Sequence, residues 1–175
     1  MSTLDPAGPL VISTHDLGRA AGTAKKLTLT VPTPTNFGNA VIGVREHSDI
    51  GLELLLESVM DGVLVTGTAA LIYQGECARC LDPIEQPALI EFQELFFYAK
   101  QSGDDEEMFH MHQEYLDLEP VLRDAALLDL PLAPVCDDDC LGLCARCGQR
   151  LVDDPDHRHE DIDPRWQALT GLLDN

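Results

Sequence analysis

Six cysteines fall into three close pairs, at the spacing of metal ligands. Cys77 and Cys80 enclose Ala78-Arg79, and Cys144 and Cys147 enclose Ala145-Arg146, so Cys-Ala-Arg-Cys occurs twice. Cys136 and Cys140 enclose Asp137, Asp138 and Asp139. A Cys-x-x-Cys turn brings two sulfurs to one ion, and zinc takes thiolate and imidazole in a tetrahedron at roughly 2.0–2.3 Å. His157 and His159 follow, and an extended segment would present both rings to one side. Two sets of four ligands result: Cys77, Cys80, Cys136 and Cys140, then Cys144, Cys147, His157 and His159. Other groupings use the same residues. The two knuckles could share one ion, or Cys136, Cys140, Cys144 and Cys147 could form a cramped site of their own. Free reduced thiols are a further reading, since lone cysteines serve as small core hydrophobes; pairing at this spacing argues against it.

A catalytic zinc keeps one position open for water, whereas each set here offers four protein ligands. The expected role is therefore structural, with one or two Zn2+ ions clipping the Cys-rich arm to the rest of the chain. Gly148, directly after Cys147, suits a knuckle because glycine accepts positive φ. Gly142 relaxes the chain between Cys140 and Cys144.

Other chemistry is sparse. The chain has no Gly-x-Gly-x-x-Gly and no Gly-x-x-x-x-Gly-Lys phosphate cradle. Ser13, His15 and Asp16 are close in sequence, but a triad is defined by spatial roles. Asp104 to Glu107 and Asp137 to Asp139 read as solvated acidic loops.

The 175 residues fit one domain with an appendage and can bury a real core. With 31 acidic and 11 basic residues the formal charge is -20. That disfavours a broad phosphate-binding surface, which needs Lys and Arg to displace counterions. It favours a basic protein partner or plain solubility. Residues 1–20 lack a basic segment followed by an apolar run, and no stretch approaches the ~20 apolar residues that span a bilayer. A cytoplasmic protein without membrane contact is the expectation, and thiols stay reduced there.

The elements that must position these ligands are mostly strands. Leu10 to Ser13 is a short one, and Lys26 to Val31 alternates with period two until Pro32 and Pro34 stop it. Ile50 to Met60 places Leu52, Leu54 and Leu56 opposite Glu53 and Glu57. Asp61-Gly62 then signals a hairpin into Val63 to Tyr73. Leu89 to Ala99 forms a third long run, so Cys77 and Cys80 fall in a connection between strands. Lys100 to Gln113 reads as a mobile acidic excursion. A helix near 119–130 follows, with Pro120 in its first turn and Val121, Leu122, Ala125 and Leu128 on one stripe. The expected fold is α+β and mostly β: an antiparallel curled sheet or barrel with one central helix. Its expected divisions are a β-rich body over 1–135, a Cys/His-rich arm over 136–160, and a short C-terminal helix over 161–175, capped by Asp163-Pro164, that docks on the body through Trp166, Leu169, Leu172 and Leu173.

Taken in order, Gly75 to Leu81, Leu130 to Cys136, Cys140 to Gly148 and Asp163 to Trp166 resemble the YceD family, the large-subunit ribosomal RNA accumulation proteins of bacteria and plastids. Asp16 to Arg19 and Glu57 to Val63 agree with it too. The resemblance implies a role in 23S rRNA accumulation through large-subunit assembly, with no agreed enzymatic reaction. The implied partner is a large-subunit precursor, a basic ribosomal protein, or 23S rRNA itself. The resemblance also implies Cys-x-Cys in many relatives where this chain has His157-Arg158-His159, and imidazole in place of thiolate keeps a zinc site plausible. A direct RNA-binding reading would use Arg79, Arg146, Arg150 and Arg158 as a local basic spot, since zinc knuckles elsewhere contact RNA. A metal-dependent hydrolase is the remaining alternative, and it needs an open coordination position that neither set offers.

Overall fold

The structure, a computed structural model, describes residues 4–98 and 108–159. Its strands are β1 (Val11–Ser13), β2 (Ala24–Pro32), β3 (Ile42–Val44), β4 (Asp49–Ser58), β5 (Gly62–Glu76), β6 (Pro83–Phe97) and β7 (Tyr115–Asp117), and its one described helix is α1 (Glu119–Asp129). Five strands build one antiparallel sheet around β5, and β1 pairs with β7 as a separate ribbon. β6 pairs with β5 along its whole length, from Gly62↔Phe97 to Glu76↔Pro83. The other edge of β5 is shared: β4 covers Val63 to Ala70, and β3 covers Tyr73 to Gly75.

Period-two patterning decides which face is buried. Ile50, Leu52, Leu54 and Leu56 of β4 face inward with Val63, Val65, Ala69 and Leu71 of β5 and with Ile90, Phe92 and Phe96 of β6. Gly67 interrupts this row for a steric reason. A Cβ there would lie 2.6 Å from the Phe92 ring and 2.7 Å from Leu54, so the phenyl packs across bare backbone. The covering layer comes from Leu10, Ile12, Phe37, Leu116, Leu118, Val121 and Leu122. Tyr73 ties sheet to helix, its hydroxyl donating to the Ala126 carbonyl at 3.0 Å and to the Asp129 carboxylate at 3.2 Å.

The expected antiparallel, mostly β architecture with one helix is present, as is the hairpin at Asp61-Gly62, where Val59 N–H donates to the Gly62 carbonyl. The barrel alternative is not. β2 pairs with β4 and not with β6, so the sheet stays open and its inner face is roofed by the helix and ribbon. Three further expectations need correction. The third long strand begins at Pro83, not Leu89, because Pro83 and Pro87 are accepted on an edge strand. The helix stripe is rotated: Val121, Leu122 and Ala126 are buried, while Leu128 is 88% exposed. The part of the acidic excursion that is described, from Met108 onward, is held down rather than mobile, since Phe97 N–H donates to Phe109 and Met111 N–H donates back to Phe97. The expected C-terminal helix lies outside the described residues. Among those residues, no helix is long and apolar enough to cross a membrane.

Candidate metal centres

The turn joining β5 to β6 is the first knuckle. Cys77 N–H donates to the Asp82 carbonyl at 2.8 Å, and Leu81 N–H donates to the Cys77 carbonyl at 2.9 Å. The second knuckle repeats both bonds at the same spacing. Cys144 N–H donates to Gln149 and Gly148 N–H donates to Cys144, both at 2.8 Å. The residue after the second cysteine has positive φ in both turns, 62° at Leu81 and 75° at Gly148. The two Cys-Ala-Arg-Cys copies are thus one local structure used twice.

The remaining ligands are brought in by the segment after α1. Ala78 N–H donates to the Pro134 carbonyl at 2.7 Å, which sets Cys136 beside the first knuckle. Asp137 closes the next turn, its carboxylate accepting Asp139 N–H and its carbonyl accepting Cys140 N–H. Cys80 and Cys136 sulfurs end 3.6 Å apart, and Cys77 and Cys140 sulfurs 3.9 Å apart. A tetrahedron with ~2.3 Å zinc–sulfur bonds has edges of about 3.8 Å. All six thiols are unbridged. Cys77 is fully buried and Cys80 nearly so, whereas Cys136 lies at the exposed rim.

In the second cluster, Cys147 Sγ lies 3.2 Å from His157 Nε2 and 3.3 Å from His159 Nε2, and the two Nε2 atoms are 3.0 Å apart. The rings stand edge to face at 88°. Asp154 sits on the far side of His157, its carboxylate 3.7 Å from Nδ1, which leaves Nε2 as the ligand atom. Cys77, Cys80, Cys136 and Cys140 form one group and Cys144, Cys147, His157 and His159 the other, with ligand atoms inside each group within 4.8 Å of one another. These are the two sets expected from spacing; the single site shared by both knuckles and the site built from Cys136 to Cys147 are not the arrangement seen. Each group could hold a metal ion, and four sulfurs, or two sulfurs and two imidazoles, are soft donors that suit a tetrahedral transition metal.

The electrostatics of the turns prepare the sulfurs unequally. The backbone N–H of Cys80, opposed by burial and aided by Arg79 N–H, lowers the Cys77 thiol to about 6. In the second knuckle the N–H groups of Arg146 and Cys147 lower Cys144 to about 6. Cys80 receives a bond from the Asp82 backbone that acts the other way, yet burial and the sulfurs of Cys77, Cys136 and Cys140 push it up to about 12. Cys140 is the chief cause raising Cys136. Four thiolates cannot crowd together uncompensated, so a divalent cation entering the first cluster displaces protons as it binds.

The two clusters are joined through the first knuckle. Leu143 N–H donates to the Arg79 carbonyl at 3.0 Å, and a Cβ on Gly142, whose φ is 77°, would meet that oxygen at 2.9 Å. The Arg79 guanidinium reaches the carbonyls of Asp138 at 2.9 Å and Cys140 at 3.0 Å. Arg150 ion-pairs with Asp82. Spacing alone offers both arginines to RNA and does not reveal their bonds within the arm. Aligning the two Cys-Ala-Arg-Cys copies would have flagged Leu81 as the counterpart of Gly148. Ser13, His15 and Asp16 do not form a triad: His15 Nδ1 lies 2.8 Å from Glu114, and Asp16 bonds Lys25 at 3.1 Å. That contact with Glu114 also raises the His15 pKa.

An open antiparallel sheet whose central hairpin turn supplies two members of a four-cysteine cluster, with a cluster of two cysteines and two histidines appended, defines a mostly β domain with two groups that could each hold a metal ion. The pattern of the family described as "Large ribosomal RNA subunit accumulation protein YceD" matches residues 65–173, which hold both clusters and α1. This chain belongs to the YceD family. It is 42% identical over 171 residues to an uncharacterized protein of Mycobacterium tuberculosis, covering 95% of this chain and 83% of that one. A similarly uncharacterized protein of Mycobacterium leprae is 37% identical over 169 residues, covering 94% and 78%. The chloroplastic YCED homolog 1 of Arabidopsis thaliana, named as a large ribosomal RNA subunit accumulation protein, is 28% identical over 83 residues, 40% of this chain and 26% of its own. No solved structure matches.

Proposed function

We propose that this chain is a non-catalytic factor that supports 23S rRNA accumulation by acting in large ribosomal subunit assembly, with structural zinc in both clusters. Its membership of a family described by ribosomal RNA accumulation carries this reading. The clusters support the structural role of the metal, because each brings four protein donors and leaves no position for a reacting water. When bound, zinc would hold residues 136–159 against the β5–β6 turn. Cys77, Cys80, Cys136 and Cys140 would join the arm to the sheet, and Cys144, Cys147, His157 and His159 would close the arm on itself. A cytoplasmic location belongs to the same proposal, since six reduced thiols need a reducing compartment.

Direct RNA binding through the knuckles has less support, because Arg79 and Arg150 are committed to Asp138, Cys140 and Asp82. A hydrolase has none from the coordination sets. The deciding experiment is depletion of the protein followed by sucrose-gradient profiling and quantitation of 23S rRNA. Loss of mature large subunits and of 23S relative to 16S is expected. Unchanged levels of both after depletion would overturn the assignment.

A further inference from the structure

A groove of about 630 Å³ runs between β6 and α1, and none of the cluster residues lines it. Its floor is apolar, formed by Phe92, Phe109 and Val121. Two leucines stand on its rims, Leu89 at 65% and Leu128 at 88% exposed. Its walls carry Glu91, Glu94, Asp124 and Asp129, and no Lys or Arg is among the lining residues. Asp129 accepts the Tyr73 hydroxyl, and the other three carboxylates find no lysine or arginine among the groove's own residues.

The backbone of β6 adds a second feature. Phe97 directs its N–H and C=O away from β5, toward Phe109 and Met111. Alternation along a strand then turns the same groups of Leu95, Gln93, Glu91 and Leu89 outward. Pro87, which has no N–H to offer, falls on the same outward parity. Among the described residues these outward groups have no backbone partner, so within that part of the chain the groove borders an unpaired strand edge. At its Phe97 end that edge already accepts an added strand, through the parallel bridge Phe97↔His110.

We propose that this groove docks an extended, lysine- and arginine-bearing segment of a protein partner, added as a strand beside β6. The open edge would supply main-chain bonds, the apolar floor would take alternate side chains, and the carboxylates would pair with the cationic ones. The same carboxylates repel phosphate, which favours a basic peptide over RNA as the occupant. The proposal rests on the assembly reading and deepens it by naming the partner's chemistry, and it does not use the clusters.

The test is a titration of isotope-labelled, zinc-loaded full-length protein with a ten-residue peptide alternating Lys with Val and Thr. A Glu-for-Lys peptide and a ten-nucleotide uridine RNA serve as comparisons. Amide shifts confined to Leu89–Leu95 and Val121–Asp129 are expected with the basic peptide alone. The triple variant Glu91→Lys, Glu94→Lys, Asp124→Lys is expected to weaken binding on the order of tenfold or more, with strong salt dependence in the parent. The reversal Asp49→Lys, Glu53→Lys, Glu57→Lys on β4 is expected to leave binding within about twofold, which separates the groove from the general field of the protein. Leu128→Lys, a change at an exposed position, is expected to weaken binding without unfolding the chain. Equal weakening by the two triple variants, shifts that map elsewhere, binding of the RNA to the groove, or a concentration-dependent dimer abolished by Leu128→Lys would each overturn the proposal. Depletion reads the ribosomal role without the groove, and this titration reads the groove without the ribosome, so either can fail while the other stands.

Discussion

Leu81 and Gly148 occupy the same place in two copies of one turn, and both have positive φ. For a residue with a Cβ the left-handed conformation costs roughly 1–2 kcal/mol. Gly148 has open space around its missing Cβ, so Gly148→Ala isolates that conformational cost. The expected loss is about 1 kcal/mol in urea unfolding of the metal-loaded protein. Leu81→Gly relieves the same strain but loosens the unfolded chain by a comparable ~0.5–1 kcal/mol, so its midpoint should stay close to that of the parent. The cysteines give a second prediction at this scale. Cys147→Ser should reduce the bound metal from both ions to the first alone. Cys77→Ser should lose the first and weaken the second, because the second knuckle hangs on the Arg79 carbonyl through Leu143 N–H. Elemental analysis of each purified variant checks both outcomes.

At the scale of elements, the β5–β6 hairpin does two jobs. Its strands pair over their full length, and its turn is a knuckle, so the first cluster sits on the most extensively paired part of the sheet. Packing against that hairpin is tight at Gly67. Gly67→Ala places a methyl against Phe92 and Leu54, and the expected destabilisation is ~1–3 kcal/mol by thermal melting. Tyr73 joins the sheet to α1 with one hydroxyl, and Tyr73→Phe should cost about 1 kcal/mol, leaving the Ala126 carbonyl short of a partner. Both substitutions lie on the inner face away from the sulfurs, so metal content should not change with either.

At the scale of the whole molecule, two kinds of stability coexist. The sheet and α1 rest on an apolar core, whereas residues 136–159 contribute few buried side chains, and the proposed ions would hold them. Metal removal by a chelator should therefore raise amide exchange in 136–159 far more than in β4, β5 and β6. Equal protection in the arm before and after chelation would show that the ions do not hold it. The formal charge of -20 is also a property of the whole. It sets the sign of the partner that long-range attraction favours, and the groove beside β6 is where that sign coincides with shape.

The sequence by itself determined what depends on neighbours along the chain. The doubled Cys-Ala-Arg-Cys, the period-two strands, the Asp61-Gly62 turn and the proline in the first turn of α1 were all legible because each is fixed by local stereochemistry. Spacing offered the two groups of Cys and His side chains together with two other groupings, and the fold brings together the first arrangement. Tertiary structure alone decided the rest. Whether β2 meets β6 is a question of long-range pairing, and the open sheet follows from how α1 and the β1–β7 ribbon roof its face. The turn of α1 that buries Ala126 and exposes Leu128 was set by the sheet beneath it, not by the helix pattern. The commitment of Arg79 and Arg150 to the arm, and the groove between β6 and α1, join residues far apart in the chain; no local rule connects them, and only packing brings them face to face.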